Sequence, residues 1–171
     1  MAVIQADIDR LPEKYRLFCR EISDFIPAKR IFADPIRRVA YGVDASLYRI
    51  TPKLVVKVRT PAEVAEIMKA AARYAVPVTF RAAGTSLSGQ ALSDSILLVL
   101  AGGWSKYTID KDGETISLEP GIIGSDANVY LKPYARKIGP DPASINHCMI
   151  GGIAANNASG MCCGTTDNSY K

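Results

Sequence analysis

The chain has 171 residues, 48% of them hydrophobic and 22% charged, with 21 basic against 17 acidic side chains and a formal net charge of +4. That length builds a core without disulfide staples, and the basic residues are spread rather than clustered, which argues against nucleic acid as a partner. No stretch reaches the roughly 20 apolar residues of an integral membrane segment, and the opening MAVIQADIDR lacks the apolar centre of a signal peptide.

Residues 1–30 predict helix: Ile8, Leu11, Tyr15, Phe18, Ile22 and Phe25/Ile26 recur at three- and four-residue intervals and share one face. Pro27 ends it. A loop-rich connector follows, punctuated by Pro35 and Gly42. From Leu54 the rhythm becomes that of a strand, LVVKV. Thr60 is then placed to cap a helix, with Pro61 first in it and Glu63 third. Val64, Ile67, Met68 and Ala71 are its expected inward side, Pro77 its stop, and VTF a second strand, parallel to the first.

After the stretch RAAGTSLSGQ (81–90), SILLVLAG predicts a buried strand. YTID and TISLE predict a hairpin about an Asp-Gly turn. Ser125 is a candidate cap for a helix through DANVYLKPYARKI, which Gly139 and Pro140 end. The last stretch, from Gly139 on, is too rich in small and turn residues for an ordinary core element.

The chemistry is expected in two small-residue tracts. In the first, Gly84 and Gly89 have the outer spacing of a P-loop, but Gln90 and Ala91 stand where Lys and Ser/Thr are required, so nucleotide-triphosphate hydrolysis is excluded. The dinucleotide fingerprint G-x-G-x-x-G is absent too. What remains suits a diphosphate: amides of Gly84, Thr85 and Ser86 approach anionic oxygens where little side chain intervenes, and Thr85, Ser86 and Ser88 add hydroxyl donors. A tight surface turn accounts for the same residues equally well. The second tract, GPDPAS (139–144) with IGGIAANNASG (150–160), offers the same kinds of group, so two such tracts closing on one extended ligand is the binding expectation.

Taken together, VDASLYRITPKLVVKVRTPAEV, VPVTFRAAGTSLSGQA, EPG at 119–121 and GPDPAS…IGGIAANNASG resemble, in order, the FAD-binding domain of the vanillyl-alcohol-oxidase-like (PCMH-type) flavoproteins, above all their D-lactate and glycolate dehydrogenase branch. The resemblance covers roughly residues 40–171. It implies an α+β fold: a helical arm over 1–40, then a PCMH-type FAD-binding domain over 41–171, with a βαβ-containing subdomain and the start of a second. By position in the motifs it assigns Ala82, Ala83, Gly84, Thr85, Ser86, Gly89 and Gln90 to the pyrophosphate. Pro120, Gly121, Ser144, Ile150, Gly151, Gly152 and Asn157 are assigned to the adenine, ribose or flavin ends.

The attachment loop that carries a histidine in some relatives has none here, so the resemblance implies non-covalent FAD. The sole histidine, His147, reads as a surface or hydrogen-bonded histidine rather than a catalytic one. Met149 replaces the small hydroxyl residue usual before IGG. The implied reaction oxidises a 2-hydroxy acid by hydride transfer to FAD, with an unidentified electron acceptor. The relatives place substrate-binding groups further along, so no catalytic residue is assigned and the chain reads as an inactive amino-terminal portion. Arg81 is expected on loop carbonyls or a phosphate, and Arg49 in a structural role.

The cysteines, Cys19, Cys148, Cys162 and Cys163, form no CxxC pair. The adjacent two fit neither a metal-ligand pair nor an easy disulfide, so no metal site is expected, and reduced, mostly buried thiols in the cytoplasm are. The competing class is a non-catalytic nucleotide- or partner-binding module. A UDP-sugar-type reductase on the same fold matches the GPDPAS and AANNASG tracts less well.

Overall fold

The periodic segments of the first hundred residues build a four-stranded sheet with helices against it. The computed structural model describes residues 2–164, 166 and 168–170, with side chains from residue 6 onward. It divides into two compact units, one of Met1–Arg81 with Ser86–Ala101, the other of Ala82–Thr85 with Gly102–Lys171.

In the first unit, α1 (Ala2–Asp9) and α2 (Glu13–Ile22) stand where one helix was expected. Pro12 is the reason: it has no amide to donate to the preceding turn, so the helix stops and restarts with Pro12 at its N-cap. The apolar face survives the break. Leu11, Tyr15, Phe18, Ile22 and Ile26 are buried, whereas Phe25 is exposed. The connector also holds structure that composition concealed: β1 (Ile31–Phe32), and α3 (Pro35–Ala40), whose N-cap Asp34 accepts from the Arg37 amide at 3.0 Å.

Strand β2 (Leu54–Val58) leads into α4 (Pro61–Arg73), begun as its sequence dictates, with the Thr60 hydroxyl accepting from the Glu63 amide at 3.2 Å. Ile67, Ala70 and Ala71 form its buried side, and Met68, expected inward, is exposed. The helix ends before Pro77, at Tyr74, where Ala75 takes a left-handed φ of 50°. Strands β3 (Val78–Arg81) and β4 (Ile96–Leu100) complete the sheet in the order β1-β2-β4-β3. Thus β2 and β3 do run in the same direction, but β4 lies between them, paired in parallel with both. Val55, Leu97 and Val99 pack with Phe32 on one face. The period of two leaves Leu54, Val56, Ile96 and Leu98 to the other, all inaccessible to solvent.

Because β3 and β4 are parallel neighbours, the chain must return from the carboxyl end of one to the amino end of the other. Residues 82–95 make that return without a helix. The glycine-rich stretch therefore leaves the sheet at the carboxyl end of a parallel strand, where open α/β sheets place their ligands.

The second unit contains the expected hairpin, β5 (Tyr107–Ile109) and β6 (Ile116–Leu118), turning through Gly113 at φ 68°. An added Cβ at Gly113 would lie 2.6 Å from the Tyr134 ring. Helix α5 (Gly124–Leu131) starts two residues earlier than expected: Ile123 is its N-cap, and Ser125 lies inside the first turn. Pro133 follows in a short 3-10 turn, and the left-handed Ala135 ends it. The terminal tract, expected to be irregular, contains α6 (Ile150–Ala155).

Candidate functional site

Within the second unit the two small-residue tracts meet. A Cβ built at Gly152 would have only the Ala82 Cβ within 4 Å, at 3.8 Å, so Gly152 turns its open side to the start of the RAAGTS loop. Its neighbour Gly151 faces the EPG motif. The Gly151 amide donates to the Pro120 carbonyl at 2.9 Å, and a Cβ there would stand 2.7 Å from the Pro120 Cβ. The Ile150 amide donates to Ile122 at 2.8 Å, and Gly124 donates to Cys148 at 3.0 Å. Gly121 is equally confined, since its added Cβ would lie 2.7 Å from the Trp104 carbonyl oxygen. Ala82, Pro120, Gly121, Ile150, Gly151 and Gly152 are thereby gathered, with no room for a side chain at Gly121 or Gly151 and an open side at Gly152.

Ser144 closes the preceding turn. Its carbonyl accepts from the amides of His147 and Cys148, both at 2.8 Å. Asn157 takes a left-handed φ of 46°, and its Oδ1 accepts from the Tyr170 amide at 3.2 Å. Gly84, at φ 74°, gives the loop a conformation that costs other residues about 1 kcal/mol or more. Among the described residues, no amide from Ala83 to Ser86 has a hydrogen-bond partner within the chain. Consecutive half-exposed amides without a partner in the chain are open to an external acceptor, and such main chain suits an anion.

The rest of the loop bonds to itself, in the first unit. The Ser86 hydroxyl donates to the Gln90 side-chain carbonyl and accepts from the Ser88 amide at 3.2 Å. Gly89, at φ 77°, lies under Tyr48, whose Cδ2 would be 3.0 Å from an added Cβ. Sequence reading passed over Tyr48; the only signal was its place in the resembling stretch VDASLYRITP.

Arg81, the last residue of β3, donates through Nη1 to the carbonyls of Val43 at 2.7 Å and Tyr41 at 3.3 Å. Burial lowers its pKa, with the Asp44 carboxylate opposing. Of the two partners expected for it, these are the carbonyls. Arg49 is exposed and pairs with Val43 in an isolated bridge, and His147 is exposed. A cavity of about 880 Å³ in the second unit is lined by Ile116, Leu118, Leu131 and Ile153 together with Ile150, and by no residue of the 82–90 loop.

The profile of the FAD-binding-domain family matches residues 52–170. The chain belongs to that family. Over 145 residues, 83% of its length, the FAD-binding domain is 33% identical to glycolate oxidase subunit GlcD of Escherichia coli K12, and it spans 29% of that protein. It is 32% identical over 128 residues, 72% of its length, to D-2-hydroxyglutarate dehydrogenase of the same organism, spanning 13% of that protein. The fold is that of an alkyldihydroxyacetonephosphate synthase, with a TM-score of 0.75 at 21% identity over 93% of this chain and 33% of that one. The α+β, PCMH-type architecture expected from the motifs is the one found. Among the described residues no helix is long and apolar enough to cross a membrane.

Proposed function

We propose that this chain is the cofactor-holding part of a flavin-dependent oxidoreductase that oxidises a 2-hydroxy acid of the D-lactate or glycolate type. The observation that carries the reading is the approach of Gly152 to Ala82 at the foot of a loop whose amides from Ala83 to Ser86 have no partner among the described residues. The curated relatives, a glycolate oxidase subunit and a D-2-hydroxyglutarate dehydrogenase, both act on 2-hydroxy acids by name.

In this reading the amides of Ala83, Gly84, Thr85 and Ser86 bind the diphosphate, with Ala82, Gly89 and Gln90 shaping the loop. Thr85 adds a neutral hydroxyl to those donors, and no lysine is needed. Pro120, Gly121, Ser144, Ile150, Gly151, Gly152 and Asn157 form the wall for the rest of the cofactor, close-fitting because it is main chain. FAD, when bound, supplies the hydride acceptor; the protein supplies position and electrostatics. Residues 41–171 constitute the FAD-binding domain and 1–40 its amino-terminal arm. The cofactor is held without a covalent bond, the compartment is the cytoplasm, and the chain on its own does not turn over substrate.

Quenching of flavin fluorescence on titrating FAD with purified protein tests the reading. Saturable, stoichiometric quenching that denaturing acid fully releases supports it. A chain that folds cooperatively and leaves FAD fluorescence unchanged sinks it, and dye reduction driven by D-lactate or glycolate with this chain alone would refute its inactivity.

A further inference from the structure

The adjacent Cys162 and Cys163 stand in a turn that the cofactor reading does not use. A bridge between Gly160 and Gly164 closes it, with the Gly164 amide donating to the Gly160 carbonyl at 2.9 Å. The Asp141 carboxylate holds it from outside, accepting from the amide of Cys162 at 3.1 Å and of Cys163 at 3.3 Å. Gly160 is pressed so tightly to Asp141 that an added Cβ would lie 2.1 Å from its carbonyl oxygen. Cys162 is exposed and Cys163 half-exposed, both as free thiols. The Cys163 sulfur accepts from the Gly160 amide at 3.0 Å and faces the Gly164 carbonyl at 3.4 Å. Hydrogen bonding, from the Cys162 side chain foremost and then from the two cysteine amides, holds the Asp141 carboxyl down at about 2.

Two neighbouring thiols in an ordered, accessible turn differ from a disulfide in waiting. Adjacent Cα atoms are about 3.8 Å apart, short of the separation that an unstrained S–S bond spans. A bridging atom with long bonds to sulfur removes that mismatch. Among the described residues no group of three or more His, Cys, Asp or Glu side chains is arranged for a metal ion. Two adjacent sulfurs suit a centre that takes two thiolate ligands.

We propose that Cys162 and Cys163 form a dithiol site for soft, thiophilic trivalent centres, the chemical class being a monosubstituted trivalent arsenical. Such a centre needs two sulfur ligands because carbon holds its third valence. The step balances without redox: the As=O bond and two S–H bonds give two As–S bonds and one water, and arsenic stays trivalent. The proposal does not rest on the FAD reading, since none of Asp141, Gly160, Cys162, Cys163 and Gly164 is among the residues assigned to the cofactor.

The test uses phenylarsine oxide on the whole native chain, read by intact mass and by the thiols left for a chromogenic disulfide reagent. One phenylarsenic unit per chain is expected, with loss of one water and of both surface thiols, reversed by a dithiol and not by a monothiol. Cys162→Ser and Cys163→Ser should each weaken binding about 100-fold, because the second sulfur then no longer acts at high local concentration. No adduct on the unsubstituted chain overturns the proposal, as does an adduct mapped to Cys19 or Cys148, or equal affinity in either serine variant.

Discussion

Arg30 and Glu63 form a two-pronged ion pair, Nη1 to Oε2 and Nη2 to Oε1, each at 2.8 Å. It ties the turn before β1 to the first turn of α4. The Glu63 carboxylate also accepts from the Arg59 amide at 2.8 Å, and the two side chains are only 10% and 18% exposed. Removing one member leaves a guanidinium desolvated without its counter-charge. Glu63→Ala should therefore lower unfolding free energy by about 3 kcal/mol. Replacing both, as Arg30→Met with Glu63→Leu, should recover much of that loss, which urea melts of the three variants would show.

The same pair makes stability depend on acid. Burial pushes the Glu63 carboxyl up, but the Arg30 hydrogen bond, the Arg59 amide and both guanidinium charges hold it below its ordinary 4.5. Asp34, Asp110 and Asp141 are likewise held below 3.8, Asp141 at about 2. A carboxyl depressed in the folded state binds its proton more readily when unfolded, so these groups stabilise fully above their ordinary values. That contribution is lost as pH falls from about 4.5 toward 2. Urea midpoints should be flat from pH 7 to pH 5 and then decline. Glu63→Gln should reduce the decline, and an unchanged slope would show that the pair contributes nothing to it.

Inside the first unit the Tyr15 hydroxyl and Ser95 Oγ lie 2.9 Å apart, both buried. Ser95 begins β4's approach, its carbonyl accepting from the amides of Lys53 and Leu54. Tyr15→Phe leaves that hydroxyl without its phenolic partner and should cost about 1 kcal/mol. Thermal melts of Tyr15→Phe against the parent measure this, and no change in midpoint would mean that water replaces the partner.

What was legible in the sequence follows from which forces act locally. Thr60, Pro61 and Glu63 specify the start of α4 within four residues, and alternation with an Asp-Gly turn specifies the β5–β6 hairpin, so both were readable. The order of the sheet was not: β4 inserts between β2 and β3 because of packing among strands far apart in sequence. Helix α6 was hidden by Gly151 and Gly152, whose low helical propensity is overridden by tertiary contact with Pro120. Met68 shares the periodic stripe of α4 yet stays exposed, because Ile67, Ala70 and Ala71 already form the buried side of the helix. At the site, the small residues were recognisable as a class. The distinction between Gly151, confined by the fold, and Gly152, open toward Ala82, required coordinates.

That distinction gives the sharpest test of the site. Gly151→Ala would set a methyl group 2.7 Å from the Pro120 Cβ and 3.1 Å from its carbonyl oxygen, so the EPG motif or α6 must move. It should destabilise the fold by about 1–3 kcal/mol, as overpacking does. Gly152→Ala meets only the Ala82 Cβ at 3.8 Å, an ordinary contact, and alanine is the better helix former. This variant should melt at or slightly above the parent temperature. Its methyl group nevertheless projects toward the foot of the loop assigned to the diphosphate, where close main-chain approach is what binds. FAD affinity should then fall about tenfold or more, a loss of about 1.4 kcal/mol, while stability is kept. A Gly152→Ala protein that melts normally and binds FAD as the parent does would remove Gly152 from the site and leave its approach to Ala82 a matter of packing alone.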